Sequence, residues 1–443
     1  MEPQYTINQL LSKTTLPEEI TTFLRNNAKE RFIRYVKINT QSSEESETTP
    51  TTKEQFELGK LLKTELEELG VEDITHDEYN YVYGTIPATP GYEETEKNNH
   101  PIGLISHMDT SPAESGKDVE PRIIERYQGG IIDFPKNPDI TIDPEIDSKD
   151  LKMFIGEEII TSSGNTLLGA DDKSGIAEIM AVVEAWKKFP NKLVHPKVVV
   201  CFTPDEEVGG GTKKINLSKL PKVCYTIDGG AIGELSNECF DAWRVEFEFA
   251  GKDVHPGYGK GVMVNSIEIA CKFFSQIPES QTPQNTNKRE GYFHIYNFSG
   301  SVECTKVTMI IRDFEEEKNQ RKIKFLESLV KAFEYEYFGL KINMKITHQY
   351  KNMVEYLKPH PEIVDKIYSA MKKAGLDKVI NNEPIRGGTD GSNLSTQGVL
   401  TPNIFAGGYL FHSKREWIPT INIQKAAEVI ALLSEEWADQ KKD

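Results

Sequence analysis

Two glutamates, Glu206 and Glu207, stand side by side after Asp205 in "VVVCFTPDEEVGGG", where an apolar run ends at Pro204. Adjacent like charges repel and add nothing to a fold, so the pair asks for a chemical reason. Three more polar clusters sit where apolar runs stop. "LISHMDT" ends on His107 and Asp109, "LLGADDKSG" carries Asp171 and Asp172 ahead of a helical pattern, and "YTIDGG" ends on Asp228. Alone, each has an ordinary reading. Asp-Asp is an N-cap with a solvated neighbour, a lone Asp is a turn former, and Glu-Glu is surface. Their shared position at strand ends lifts those readings, because open α/β sheets build sites outside the carboxyl ends of strands.

Histidine nitrogens and carboxylate oxygens without thiols suit zinc and its neighbours. A two-metal centre needs a bridging carboxylate. Two divalent ions are balanced by three ligand carboxylates and one water-derived anion, which leaves a fourth carboxylate free to act as a base. One glutamate of the pair can therefore hold metal while its neighbour takes a proton from water. The glycines that follow let the chain turn tightly and let substrate approach.

The elements that must position these residues follow from pattern. "PEEITTFLRNNAKERFIRYVKI" and "KEQFELGKLLKTELEELG" read as helices, the second ended by Gly70, and residues 1–16 read as a loose leader. "YNYVYGTIPA" and "IGLISHMDT" read as strands, separated by a charged excursion over 91–100. The helix "SGIAEIMAVVEAWKKF" sets Ile176, Ile179, Met180 and Val183 on one face, and "KVVVCFT" and "VCYTI" are continuous apolar runs of doubly buried strands. From residue 240 the texture changes to alternation, with Trp243, Val245, Phe247 and Phe249 set against Arg244, Glu246 and Glu248, which marks a sheet with one face in water. The α/β texture returns after 355. The expected organisation is a discontinuous α/β domain, 1–239 and 353–443, with an α+β domain over 240–352 inserted into it.

A net charge of −17 argues against nucleic acid and anionic lipid as partners. Five scattered cysteines without a CxxC read as reduced thiols of a cytoplasmic protein. The first residues lack a signal-peptide pattern, and no apolar stretch approaches a membrane span.

Together "GADDKSGIAEIM", "TPDEEVGGG", "IDGG", "HPG", "RGGTDGS" and "FHSKREWIP" resemble the M20 metallopeptidases, and among them the branch that cleaves tripeptides, from about residue 17 to the C-terminus. The resemblance implies a zinc-peptidase-like catalytic domain with a mixed central sheet flanked by helices, and an inserted α+β lid or dimerisation domain with an antiparallel sheet. It implies two zinc ions, replaceable by manganese or cobalt. His107 and Asp228 would bind the first, Glu207 and His412 the second, and Asp171 would bridge them, joined to Asp172 by a cis peptide. Asp109 would orient His107, and Glu206 would be the general base. His255 would polarise the scissile carbonyl, as against a plain turn residue before Pro256. Arg312 and Arg386 would hold the peptide carboxylate, with Asn297 as a further substrate contact. The implied activity is hydrolysis of the first peptide bond of a tripeptide, in a homodimer formed through the lid. A dipeptidase, a carboxypeptidase, an N-acyl amidohydrolase and a non-catalytic peptide binder stay open at this stage.

Overall fold

The computed structural model describes residues 5–95 and 99–438. The chain divides into two compact units. One takes in the chain up to Asn237, Tyr356–Glu383 and the chain from Thr389; the other is Glu238–Glu355 with Pro384–Gly388.

The first unit is built on a seven-stranded sheet. Its order is Glu72–His76, Val82–Ile86, Val198–Thr203, Ile102–His107, Val223–Gly229, Asn403–Phe405, Leu235–Ser236. The four strands from Val198–Thr203 to Asn403–Phe405 run parallel, and antiparallel strands flank them on both sides. Every residue of Ile102–His107 and Val198–Thr203 is buried, as continuous apolar runs require. Helix Ala170–Lys188 packs on this sheet and against helices Glu18–Tyr35 and Thr420–Glu436. It is therefore buried all round from Ile176 to Val183, Glu178 included, and not along one stripe as its sequence pattern suggests. Helix Gln55–Leu69 ends at Gly70, whose φ of 77° needs glycine. Arg31, buried between Glu65 and Glu184, ties this helix to its neighbours.

Residues 5–16 are not a loose leader. Ile7 is fully buried in a short helix, and the Ser12 and Thr15 amides donate to the carbonyls of Gly375 and Lys373, each at 2.8 Å. Part of the 91–100 excursion, residues 96–98, lies outside the described residues.

In the second unit four antiparallel strands run in the order Tyr292–Gly300, Cys304–Asp313, Asp241–Ala250, Lys341–Tyr350. Phe247 pairs with Val307 and Glu246 with Thr308. The inward set, Val245, Phe247, Phe249, Val307 and Met309, packs with Phe273 and Leu326 from helices Ser266–Phe274 and Glu316–Glu336. Strand Tyr292–Gly300 had no clear sequence signature, because most of it is exposed and its apolar residues do not alternate cleanly.

The protein is a mixed α/β chain with a mixed central sheet flanked by helices, and an α+β unit with an antiparallel sheet. Among the described residues no helix is long and apolar enough to cross a membrane.

Candidate metal centre

Three adjacent parallel strands deliver the first groups. His107 ends one strand, Asp228 lies near the end of the next, and Glu206 and Glu207 form a short turn after the third. Asp171 enters from the start of helix Ala170–Lys188, where the backbone of Asp171 and Asp172 is not yet helical and the bond between them is cis. His412 comes from a loop before Trp417–Pro419, with φ at 58°.

These side chains converge. His107 Nε2 lies 2.9 Å from Asp171 Oδ1 and 3.3 Å from Asp228 Oδ1. His412 Nε2 lies 3.0 Å from Asp171 Oδ2 and 2.8 Å from Glu207 Oε2. Asp171 thus presents one oxygen to each histidine. Two sets of ligand atoms, one from His107, Glu206 and Asp228 and one from His107, Asp171 and Glu207, each lie within 4.8 Å of one another. The other oxygen of Glu207, Oε1, is buried without a hydrogen-bond partner among the described residues.

The electrostatics are those of an acid cluster short of positive charge. Burial pushes the Glu206 carboxyl well above its ordinary range, and the Asp228 charge adds to that. Burial and then Asp171 push Glu207 up to about 7, although His412 opposes them. Asp228 is pushed up by burial to about 6, against the pull of His107. Burial works against a charged His107, but Asp228, Asp109 and Asp171 outweigh it and hold the ring well above its usual value. His412 is raised to about 10 by its bonds to Asp171 and Glu207. A buried orphan oxygen and carboxylates that cannot ionise together fit a cation site. The donors are nitrogens and carboxylate oxygens with no thiol among them, which suits zinc, manganese or cobalt.

Glu206 differs from the rest. Among the described residues its carboxylate has no hydrogen-bond or ion-pair partner, while the other three acids of the cluster each face a histidine. Asp109 does more than face His107. Its carbonyl lies 3.0 Å from His107 Nδ1, and its carboxylate accepts from the amides of Glu206 at 2.9 Å and Glu207 at 3.2 Å.

Several supporting contacts carried no signal of their own in the sequence. Asp172 accepts from the Ser106 hydroxyl and from the His107 amide at 3.2 Å, joining strand to helix. Asp205, at φ 57°, accepts from the Thr51 hydroxyl at 2.6 Å and from Gln55 at 2.7 Å, which fastens the polar loop before Gln55 to the glutamate turn. Asp390 of "RGGTDGS" accepts from the Thr203 hydroxyl at 2.9 Å. Only an alignment or the fold itself separates these aspartates from the 69 acidic residues of the chain.

The remaining predicted residues belong to the second unit. His255 is exposed, and its Nδ1 accepts from the Gly257 amide at 3.2 Å. Asn297 is exposed at an irregularity in the pairing of its strand. Arg312 donates to the carbonyls of Trp243 and Ile311 and to Gln349. Arg386 donates to the carbonyls of Lys288 and Glu290, both at 2.7 Å, and to Thr286. Among the described residues neither arginine forms an ion pair.

The model of peptidase family M20/M25/M40 matches residues 167–436. Peptidase T of Geobacillus kaustophilus is 44% identical over 402 residues, 90% of this chain and 96% of that protein. Among solved structures, aminopeptidase PepT from Bacillus cereus superposes with a TM-score of 0.71 at 21% identity, over 94% of this chain and 99% of that one. A tripeptidase from Staphylococcus aureus gives 0.73 at 21% identity, over 94% and 98%. At that identity the two structures speak for the fold.

Proposed function

The chain belongs to peptidase family M20/M25/M40, and from that premise we propose that it is a metal-dependent aminopeptidase that releases the first residue of tripeptides. The observation that carries the metal dependence is the Asp171 carboxylate shared between His107 and His412, beside the unpartnered oxygen of Glu207. His107, Asp228 and one oxygen of Asp171 would hold one zinc; His412, Glu207 and the other oxygen would hold a second. When bound, the ions supply Lewis acidity toward a water and toward the peptide oxygen.

The chain's own residues do the rest. Glu206 is the acid of the cluster that makes no ion pair with a histidine among the described residues, so it is the group free to take a proton from the attacking water. Its burial and the Asp228 charge raise its proton affinity, which suits a base that must hold that proton and return it to the leaving amine. Asp109 holds the backbone of Glu206 and Glu207 and sets the direction of both carboxylates. In the second unit the Gly257 amide occupies Nδ1 of His255. The neutral ring then carries its proton on Nε2, the form that can donate to a carbonyl oxygen. Arg312 and Arg386 are held by carbonyl, hydroxyl and amide oxygens and have no carboxylate partner among the described residues. Each has N–H groups left over for the substrate carboxylate, with Asn297 beside them in role.

The exposed Tyr296 and Phe298 on edge strand Tyr292–Gly300 support a homodimer formed through the second unit. Five cysteines outside any disulfide support a reducing, cytoplasmic setting.

The test is product analysis on Met-Gly-Gly with chelator-treated protein, before and after zinc is restored. Release of methionine alone, only with zinc, is expected. Release of the C-terminal glycine, or turnover unchanged by chelator, would refute the reading.

A further inference from the structure

Glu416 lies four residues beyond His412 and is buried. Its Oε2 accepts from the amides of Leu168 at 2.7 Å and Gly169 at 2.8 Å; its Oε1 accepts from those of Ala170 at 2.7 Å and Asp171 at 3.2 Å. One carboxylate thus collects four consecutive main-chain N–H groups, ending on that of Asp171. The same two segments meet again at their side chains, where His412 reaches Asp171.

The loop that carries Glu416 needs such an anchor. Tyr409 and Trp417 close its base with two main-chain hydrogen bonds, 2.9 and 3.1 Å, and their rings stack with centroids 4.3 Å apart. Between them Leu410 and His412 both take left-handed φ, 55° and 58°, which is unfavourable for residues with a Cβ. The His412 side chain is 46% exposed, so little packing fixes it from outside. Across the gap, the segment that ends in Asp171 is not yet helical and has no side-chain cap of its own.

We propose that Glu416 is the positioning residue of the metal centre: it sets the Asp171 carboxylate and the His412 loop at ligand distance before any ion arrives. It touches neither substrate nor metal. The inference rests on reading Asp171 and His412 as ligands. Its rival is a helix cap that contributes stability and nothing else, since Gly169, Ala170 and Asp171 are the first donors of helix Ala170–Lys188.

Glu416→Gln separates the two. Glutamine keeps the length and one acceptor oxygen, but turns an NH₂ toward two N–H donors. Zinc affinity is read by competition with a chromophoric chelator on metal-free protein, below its melting temperature. Positioning predicts a loss of about 10- to 100-fold, the range for groups that orient ligands, and a changed visible spectrum of the cobalt-substituted protein. A cap alone lowers the melting temperature and leaves affinity and spectrum at wild type, which would overturn the proposal. Should the variant not fold, amide exchange in metal-free wild-type protein decides. The amides of 168–171 should be protected without metal and change little when zinc is added; exchange at open-loop rates until zinc binds would overturn it. Wild-type protein that takes up no divalent ion overturns the functional reading and this inference with it. Normal uptake by wild type with equal affinity in Glu416→Gln overturns this inference alone.

Discussion

Nε2 of His412 lies 3.0 Å from Oδ2 of Asp171, a residue 241 positions earlier in the chain. The other oxygen of that carboxylate faces His107 at 2.9 Å. Replacing Asp171 by asparagine removes a charge and turns one bridging oxygen into a donor. Glu207 and Asp228 would then be left beside the histidines with no group joining the two halves. Bound metal should fall below two ions per chain, and turnover should fall by more than about 100-fold, since even groups outside the ligand set cost 10- to 100-fold. Metal analysis and tripeptide hydrolysis on one preparation check both. Two ions per chain at wild-type rate would show that Asp171 bridges nothing.

Glu206→Gln should separate binding from chemistry. Among the described residues the side chain makes no ion pair with a histidine, so its change leaves the paired acids in place. Metal content and KM should stay near wild type while kcat drops about 10²- to 10⁴-fold, the usual contribution of a positioned base. Loss of a metal ion in this variant would make Glu206 a ligand and move the base elsewhere.

The strands that carry His107, Glu206, Glu207 and Asp228 were readable because a doubly buried strand is a continuous apolar run, and a polar residue at its end is conspicuous. His412 was not readable that way. Its loop, with two left-handed residues, has no periodicity, and only the motif around it drew attention. The supporting contacts of Asp172, Asp205, Asp390 and Glu416 were silent for a different reason. Each acid is held by main-chain amides or hydroxyls that come from far along the chain, and such partners leave no local pattern. The N-terminal residues read as loose because their anchoring is by backbone to Lys373 and Gly375, which sequence polarity cannot reveal.

His195 should make the protein less stable in mild acid. The ring is buried, packs at a tilt of 31° on Trp186 with centroids 4.2 Å apart and turns Nδ1 to the Pro196 carbonyl at 2.9 Å. Burial lowers its pKa below the ordinary 6.5, although the carbonyl bond opposes this. Below pH 6.5 the unfolded chain therefore binds a proton that the folded chain does not. Stability is at its full value above pH 6.5 and declines as pH falls toward the folded value, with a limiting slope of about 1.4 kcal/mol per pH unit from this group. Urea unfolding of metal-free protein between pH 7.5 and about 5, for wild type and His195→Gln, tests it. The variant should show the shallower decline; parallel curves would rule the histidine out.

Gly175 is where packing and the metal centre meet. A Cβ at this position would sit 2.1 Å from the Ile227 carbonyl oxygen, 2.5 Å from Asp172 Oδ1 and 2.9 Å from the Ser106 hydroxyl. Those three belong to the strand bearing Asp228, the helix start bearing Asp171 and the strand bearing His107. Alanine gains about 1 kcal/mol of helix propensity over glycine, so an isolated helix would favour Gly175→Ala. Here the nearest obstacle is a backbone oxygen of a buried strand, which cannot swing aside as a flexible side chain can. Overpacking of this kind costs about 1–3 kcal/mol, and the helix must move outward to relieve it. That movement draws Asp171 away from His107 and Asp228 together. Gly175→Ala should therefore lose net stability in metal-free urea unfolding and weaken metal binding in the same protein. A variant that gains stability and binds metal normally would mean that helix and strand can separate without cost, and that their close approach does not set the ligand distances.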